Sequence, residues 1–126
     1  MTPHVLIVDD DPHYSELLAL LFDDDRRLTV AGCARNGREA VELVLSCAPD
    51  VVLMDVNMPV ADGLQAAREL HVLRPELPVV LISAATGPDD RRRASRTGAH
   101  AFLSKELGPE ALIEAVLAAA SQEAHR

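Results

Sequence analysis

The chain has 126 residues, 48% of them hydrophobic and 25% charged, with a formal net charge of −8. That length suits one domain over residues 1–126 with no output domain beside it, and the apolar content is too high for a disordered chain at this charge. The acidic balance opposes direct contact with nucleic acid or an anionic membrane; with no run near ~20 apolar residues and no basic, cleavable leader, a cytoplasmic protein is expected.

His4–Val8 is a short apolar run that ends in Asp9, Asp10 and Asp11, the pattern of a strand buried on both faces with acids at its C-terminal mouth. Pro12 opens a helix in which Tyr14, Leu17, Leu18, Leu21 and Phe22 recur at helical spacing until residues 23–27 break the pattern. Asp11 is read as the cap of that helix, since acids at helix starts satisfy free N–H groups. Leu28–Ala34 reads as a second strand, Asn36-Gly37 as a turn, and Ala40, Val41, Val44 and Leu45 as a helical stripe that stops before Pro49.

Val51–Met54 is again wholly apolar and ends in Asp55; the loop from Asn57 to Gly63 leads to a helix with Leu64, Ala67, Leu70 and Leu73, closed by Pro75 and Pro78. Val79–Ile82 ends in Ser83 and is followed by a polar helix whose Arg91-Arg92-Arg93 run reads as a solvated face. Ala101–Leu103 ends at Ser104-Lys105, and Pro109 opens a last helix carrying Leu112, Ile113, Val116 and Leu117, its Ala-rich end expected to fray. Cys33 and Cys47 lack metal-type spacing and are expected to be reduced, buried thiols, and the five His residues show no ligand spacing either.

Strict strand–helix alternation calls for an α/β fold, a doubly wound five-stranded parallel sheet with five helices. On the flavodoxin-like strand order 2-1-3-4-5, strands 1 and 3 are neighbours, and Asp9, Asp10 and Asp55 meet at the switch point beyond the carboxyl ends, where such sheets bind ligands. Three carboxylates a few ångströms apart repel one another, and a hard divalent cation with oxygen preference, Mg²⁺ or Mn²⁺, resolves the repulsion while leaving positions for phosphate. An Asp carboxylate in such a setting can accept a phosphoryl group, with Lys105 as the neutralising cation and Ser83 as a hydroxyl donor.

In order and spacing, VLIVDDDP, VVLMDVNMPVADG, VVLISA and GAHAFLSK resemble the receiver domain of two-component response regulators over essentially the whole chain. The resemblance implies a receiver fold in which Asp55 is phosphorylated by a histidine kinase. Asp10, Asp55 and the backbone carbonyl of Asn57 would hold the metal, and Asp9 would act through its water. It implies that Lys105 pairs with the phosphoryl oxygens and Ser83 turns inward to them, and that the backbone N–H groups of Val56 and Ala84 complete the cradle. Phe102 then takes the switch-aromatic position, and the face of the fourth helix, fifth strand and fifth helix changes shape. It also implies limited self-catalysed acceptance and hydrolysis rather than an enzyme proper, allows a homodimer, and leaves DNA to an output domain controlling transcription. Where many receivers have Pro after the Lys, this chain has Glu106; in this it resembles regulators with a helix-turn-helix output, whose opening DDxP also matches residues 9–12.

Competing functions fit the residues less well. A metal-dependent aspartyl-phosphate phosphatase needs a general acid two residues past its nucleophile, where this chain has Asn57, which cannot deliver a proton. A pseudo-receiver would have lost Asp10, Asp55 or Lys105, and a nucleotide-binding enzyme would carry a glycine-rich loop after a strand.

Overall fold

The computed structural model describes residues 2–58 and 63–124, with side chains to residue 121. The elements follow the expected alternation: β1 (His4–Val8), α1 (Pro12–Asp24), β2 (Thr29–Ala34), α2 (Gly37–Cys47), β3 (Val51–Asp55), α3 (Gly63–Leu73), β4 (Val79–Ser83), α4 (Pro88–Ser95), β5 (Ala101–Ser104) and α5 (Pro109–Ala124). All strand pairings are parallel, in the order β2-β1-β3-β4-β5. Positions 59–62 of the loop before α3, and the last two residues of the chain where fraying was expected, lie outside the described residues. Among the described residues no helix is long and apolar enough to cross a membrane.

A chain that winds from β1 to β2 in one direction and from β2 past β1 to β3 in the other, always right-handed, must place helices on both faces. Strand residues alternate accordingly. Val5, Ile7, Leu53, Val80 and Ile82 pack with Leu18 and Phe22 of α1 and Leu112, Ile113 and Val116 of α5. Leu6, Val8, Val52, Met54 and Leu81 pack with Val44 of α2, Leu64 and Leu70 of α3 and Ala94 of α4. The core is nearly all aliphatic; Phe22 is its largest fully buried side chain. The β1–β2 ladder is interrupted once, where Val5 pairs with Val30 but Leu6 pairs with Gly32, leaving Ala31 as an extra residue on the edge strand.

Three expectations need correction. Cys33 and Cys47 are both exposed free thiols: one lies on edge strand β2, which lacks a neighbour on its outer side, and the other is the last residue of α2. Leu17, Leu21, Leu45 and Leu73 belong to their helical stripes yet remain well exposed, because each stripe is wider than the surface the sheet offers it. The second strand begins at Thr29 rather than Leu28, although Leu28 is buried beneath it.

Two glycines hold the α3 side of the molecule against the sheet. A Cβ on Gly63 would lie 2.3 Å from the Asp55 carbonyl oxygen and 2.8 Å from Val56 Cα, so α3 starts against the backbone that carries Asp55. Gly98 has a φ of +85°, and a Cβ there would also meet the His71 ring at 2.6 Å. Gly63→Ala, which forces backbone to move, should destabilise the fold by roughly 1–3 kcal/mol, read as a lower urea midpoint; an unchanged midpoint would show that α3 can lift off without cost.

Candidate functional site

The carboxyl ends of β1, β3, β4 and β5 converge because parallel strands all point the same way. Asp9 follows β1, its N–H donating to the Ala34 carbonyl at 3.0 Å. Asp55 is the last residue of β3, and Ser83 the last of β4. Lys105 follows β5, its N–H donating to the Ser83 carbonyl at 2.8 Å. Asp9, Asp55 and Ser83 are buried, whereas Asp10 is exposed at the rim. One carboxylate oxygen from each of Asp9, Asp10 and Asp55 lies within 4.8 Å of the other two.

Lys105 ties this cluster together from across the sheet. Its ammonium lies 2.9 Å from Asp9 Oδ2 and 3.2 Å from Asp55 Oδ2, with only 23% of the side chain exposed. Burial works to lower its pKa, but pairing with Asp9 and Asp55 outweighs burial and raises it, so the side chain is a cation at neutral pH. Asp55 is shifted upward, chiefly by burial and further by the charge of Asp9, against the opposing hydrogen bond from the Asn57 N–H and the charge of Lys105. When all four groups are ionised, three negative charges face one positive, an excess of two that matches a divalent cation.

Asp9 Oδ2 supplies a further test of that match. It is buried and, although close to the ammonium, receives no hydrogen bond of good geometry. A buried carboxylate oxygen in that condition is costly unless something else coordinates or solvates it. Hard oxygen donors grouped around such an atom fit Mg²⁺ or Mn²⁺ and not a soft metal.

The remaining residues have less uniform fates. Asn57 donates its backbone N–H to Asp55 Oδ1 at 3.1 Å and its side-chain amide to Ser83 Oγ at 3.4 Å. Ser83 Oγ also accepts from the Ala85 N–H at 3.0 Å, so both of these contacts use its lone pairs and leave its proton to donate. The Val56 N–H, expected in the phosphoryl cradle, instead donates to the Ile82 carbonyl at 2.9 Å as part of the β3–β4 ladder, and Asn57 is the residue whose N–H faces the Asp55 carboxylate. Phe102 is half-buried in the core layer under α2, α3 and α4, and the Arg91 guanidinium lies 6.0 Å from its ring centre. Asp11 does cap α1, accepting from the His13 and Tyr14 N–H groups at 3.0 and 3.4 Å.

Arg92 and Arg93 pair with Asp89 and Asp90 on the same exposed helix, as a solvated face would. One contact was not legible in the sequence. Tyr14, which reads there as a core residue of α1, has its ring centre 4.4 Å from the Lys105 ammonium. The only signal was its place in the first turn after the acids.

The sign of the Asp55 shift has a consequence for stability. A carboxyl whose folded pKa is raised holds its proton more tightly folded than unfolded, so stability is lost as pH rises through the folded pKa. Without divalent cation, Asp55→Asn should therefore gain on the parent between pH 4 and pH 7, measured as the widening gap between their denaturation midpoints. A gap that is the same at both pH values would show that the carboxylate is not strained.

Comparison with known proteins agrees with this geometry. The profile of the response regulator receiver domain matches residues 5–117. The chain is 37% identical over 110 residues to a protein-glutamate methylesterase/protein-glutamine glutaminase of Halalkalibacterium halodurans, a match covering 86% of this chain and 32% of that protein. It is 35% identical over 112 residues to the transcriptional regulatory protein DegU of Brevibacillus brevis, covering 89% and 48%. The chain thus spans less than half the length of these curated relatives. Among solved structures, the signal receiver domain of the response regulator NarL from Mycobacterium tuberculosis superposes with a TM-score of 0.90 at 32% identity, over 95% of this chain and 97% of that one. The response regulator domain of Thermotoga maritima CheB superposes with a TM-score of 0.83 at 28% identity, over 100% and 98%. The match thus covers nearly the full run of strands that carries the acids and the lysine, and the chain belongs to the response regulator receiver domain family.

Proposed function

We propose that Asp55 is a phosphoacceptor, taking a phosphoryl group from the phosphohistidine of a histidine kinase in a reaction that depends on Mg²⁺ or Mn²⁺. One observation carries the reading: Asp55 sits buried at a strand end with an ammonium at 3.2 Å and two further carboxylates grouped about it. Asp10, Asp55 and the Asn57 backbone carbonyl would hold the cation, with Asp9 behind them. When bound, the cation offsets the negative charge of the transferring group. An Asp55 oxygen forms the new bond to phosphorus, and the phosphorus–nitrogen bond to the kinase imidazole breaks.

Lys105 then supplies positive charge to the phosphoryl oxygens, already desolvated and held by the same two carboxylates. The Asn57 N–H and that of Ala84 supply neutral donors. Ser83 Oγ would donate to the phosphoryl group by turning inward from the β4–α4 loop, and that movement would open room toward which Phe102 can turn. Such a turn takes the ring away from Arg91 and alters the face formed by α4, β5 and α5. The state of that face is the message. Control of transcription through an output domain agrees with the likeness to the transcriptional regulatory protein DegU; a methylesterase output is the second reading, favoured by the 37% identity to the Halalkalibacterium halodurans protein.

Incubation with Mg²⁺ and phosphoramidate should add one base-labile phosphoryl group, detected as a mass gain that does not form when the Mg²⁺ is chelated before the donor is added. Asp55→Asn should take up none, and Lys105→Ala should be slowed by roughly 100-fold, the usual effect of removing a charge-stabilising donor. Uptake by Asp55→Asn equal to the parent would refute the assignment. Mg²⁺ alone should stabilise the parent by about 2.7 kcal/mol at a hundredfold excess over its dissociation constant, and Asp10→Asn should need far more Mg²⁺ for the same rise in Tm.

A further inference from the structure

Lys105 has to serve two arrangements. In the one seen here its ammonium bridges Asp9 and Asp55, yet a phosphorylated Asp55 needs the same ammonium at the phosphoryl oxygens, with Asp9 occupied by the cation. Lysine is a poor residue for such precision, being a compact charge on a flexible four-carbon stem. Its two carboxylate partners cannot hold it throughout, because both change their charge environment during the reaction.

Tyr14 is the contact that need not change. Its ring centre is 4.4 Å from the ammonium, within the range at which the negative face of an aromatic ring attracts a cation. The ring is set by α1: Asp11 caps the helix and accepts from the Tyr14 N–H, while the side chain packs on the core layer containing Leu18 and Phe22. The phenol is held neutral at physiological pH, its pKa raised by burial against the lowering effect of Lys105 and reinforced by Asp9 and Asp55. It therefore attracts the ammonium without adding to the charge the metal must balance.

We propose that Tyr14 is a positioning residue for Lys105, its ring face keeping the ammonium over the Asp55 carboxylate when Asp9 turns to the metal. The proposal rests on the phosphoacceptor reading of Asp55 and adds to it the element that holds the lysine.

The ring face, not the hydroxyl or the bulk, is what should matter. With the full chain, Mg²⁺ and phosphoramidate, Tyr14→Phe should accept phosphate within about twofold of the parent, whereas Tyr14→Leu and Tyr14→Met should be slowed about 3- to 10-fold. The chain has one Tyr and no Trp, so its tyrosine emission reports this ring alone. Lys105→Met should change that emission before any donor is added, whereas beryllofluoride with Mg²⁺ should leave the parent's emission near its resting value, because the contact persists. Parent-like rates in folded Tyr14→Leu, slowing in Tyr14→Phe as large as in Tyr14→Leu, or emission indifferent to Lys105 would each overturn the proposal. Should the leucine and methionine variants fail to fold, the emission pair decides. A parent that takes up no phosphate would instead overturn the reading of Asp55, while the emission of Lys105→Met still answers for the contact.

Discussion

A lysine reaching over from the edge strand is what allows three carboxylates to share one end of this sheet. Asp9 and Asp55 are buried at the ends of adjacent strands, and without a cation their mutual repulsion would push one of them out of the site or keep it protonated. Lys105 sits two strands away from β3, so its charge arrives only through the tertiary fold. The fold in turn gains no stability from the cluster as a whole: buried ion pairs roughly break even against desolvation, and here the acids outnumber the base. Stability resides instead in the two aliphatic layers on either face of the sheet. The site end carries the strain and the layers hold it in place.

The same division explains what could be read from the sequence. Each strand is an apolar run with an abrupt polar end, and in a parallel sheet covered on both faces those ends fall on one rim; hence β1, β3, β4 and β5, and with them Asp9, Asp55, Ser83 and Lys105, were legible before any coordinates. Helix stripes were legible in phase but not in extent, since how much of Leu17 or Leu45 is covered depends on the width of the sheet beneath. Edge effects were invisible: Cys33 is apolar enough for a core, and only the strand order shows that β2 has an open side. Backbone donors were the least legible. Val56 and Asn57 are adjacent in sequence, and which N–H feeds the ladder and which faces Asp55 is decided by the pairing of β3 with β4.

The contacts that link Ser83 to α4 and Phe102 involve few atoms. Ser83 Oγ is engaged by both Ala85 and Asn57, so a hydroxyl that moves disturbs the β4–α4 loop on one side and the β3–α3 loop on the other. Arg91 is anchored to the same β4–α4 loop by its Nε, which donates to the Thr86 carbonyl at 3.2 Å, while its guanidinium lies against Phe102. A displacement of a few tenths of an ångström at Ser83 thus has a short mechanical route to the first turns of α4, and the packed layer beneath leaves it few other directions.

The extra residue at Ala31 bears on how such domains meet one another. An exposed parallel edge is a template for adding strands from other chains, and β2 is this sheet's longest edge strand. The bulge throws the β2 backbone out of step with a straight incoming strand and increases its twist, while the opposite edge, β5, is only four residues long. Both margins are therefore poor templates for sheet extension. Any association between copies would then fall to the helical faces rather than to a strand margin, whose pairing would lock the molecules together.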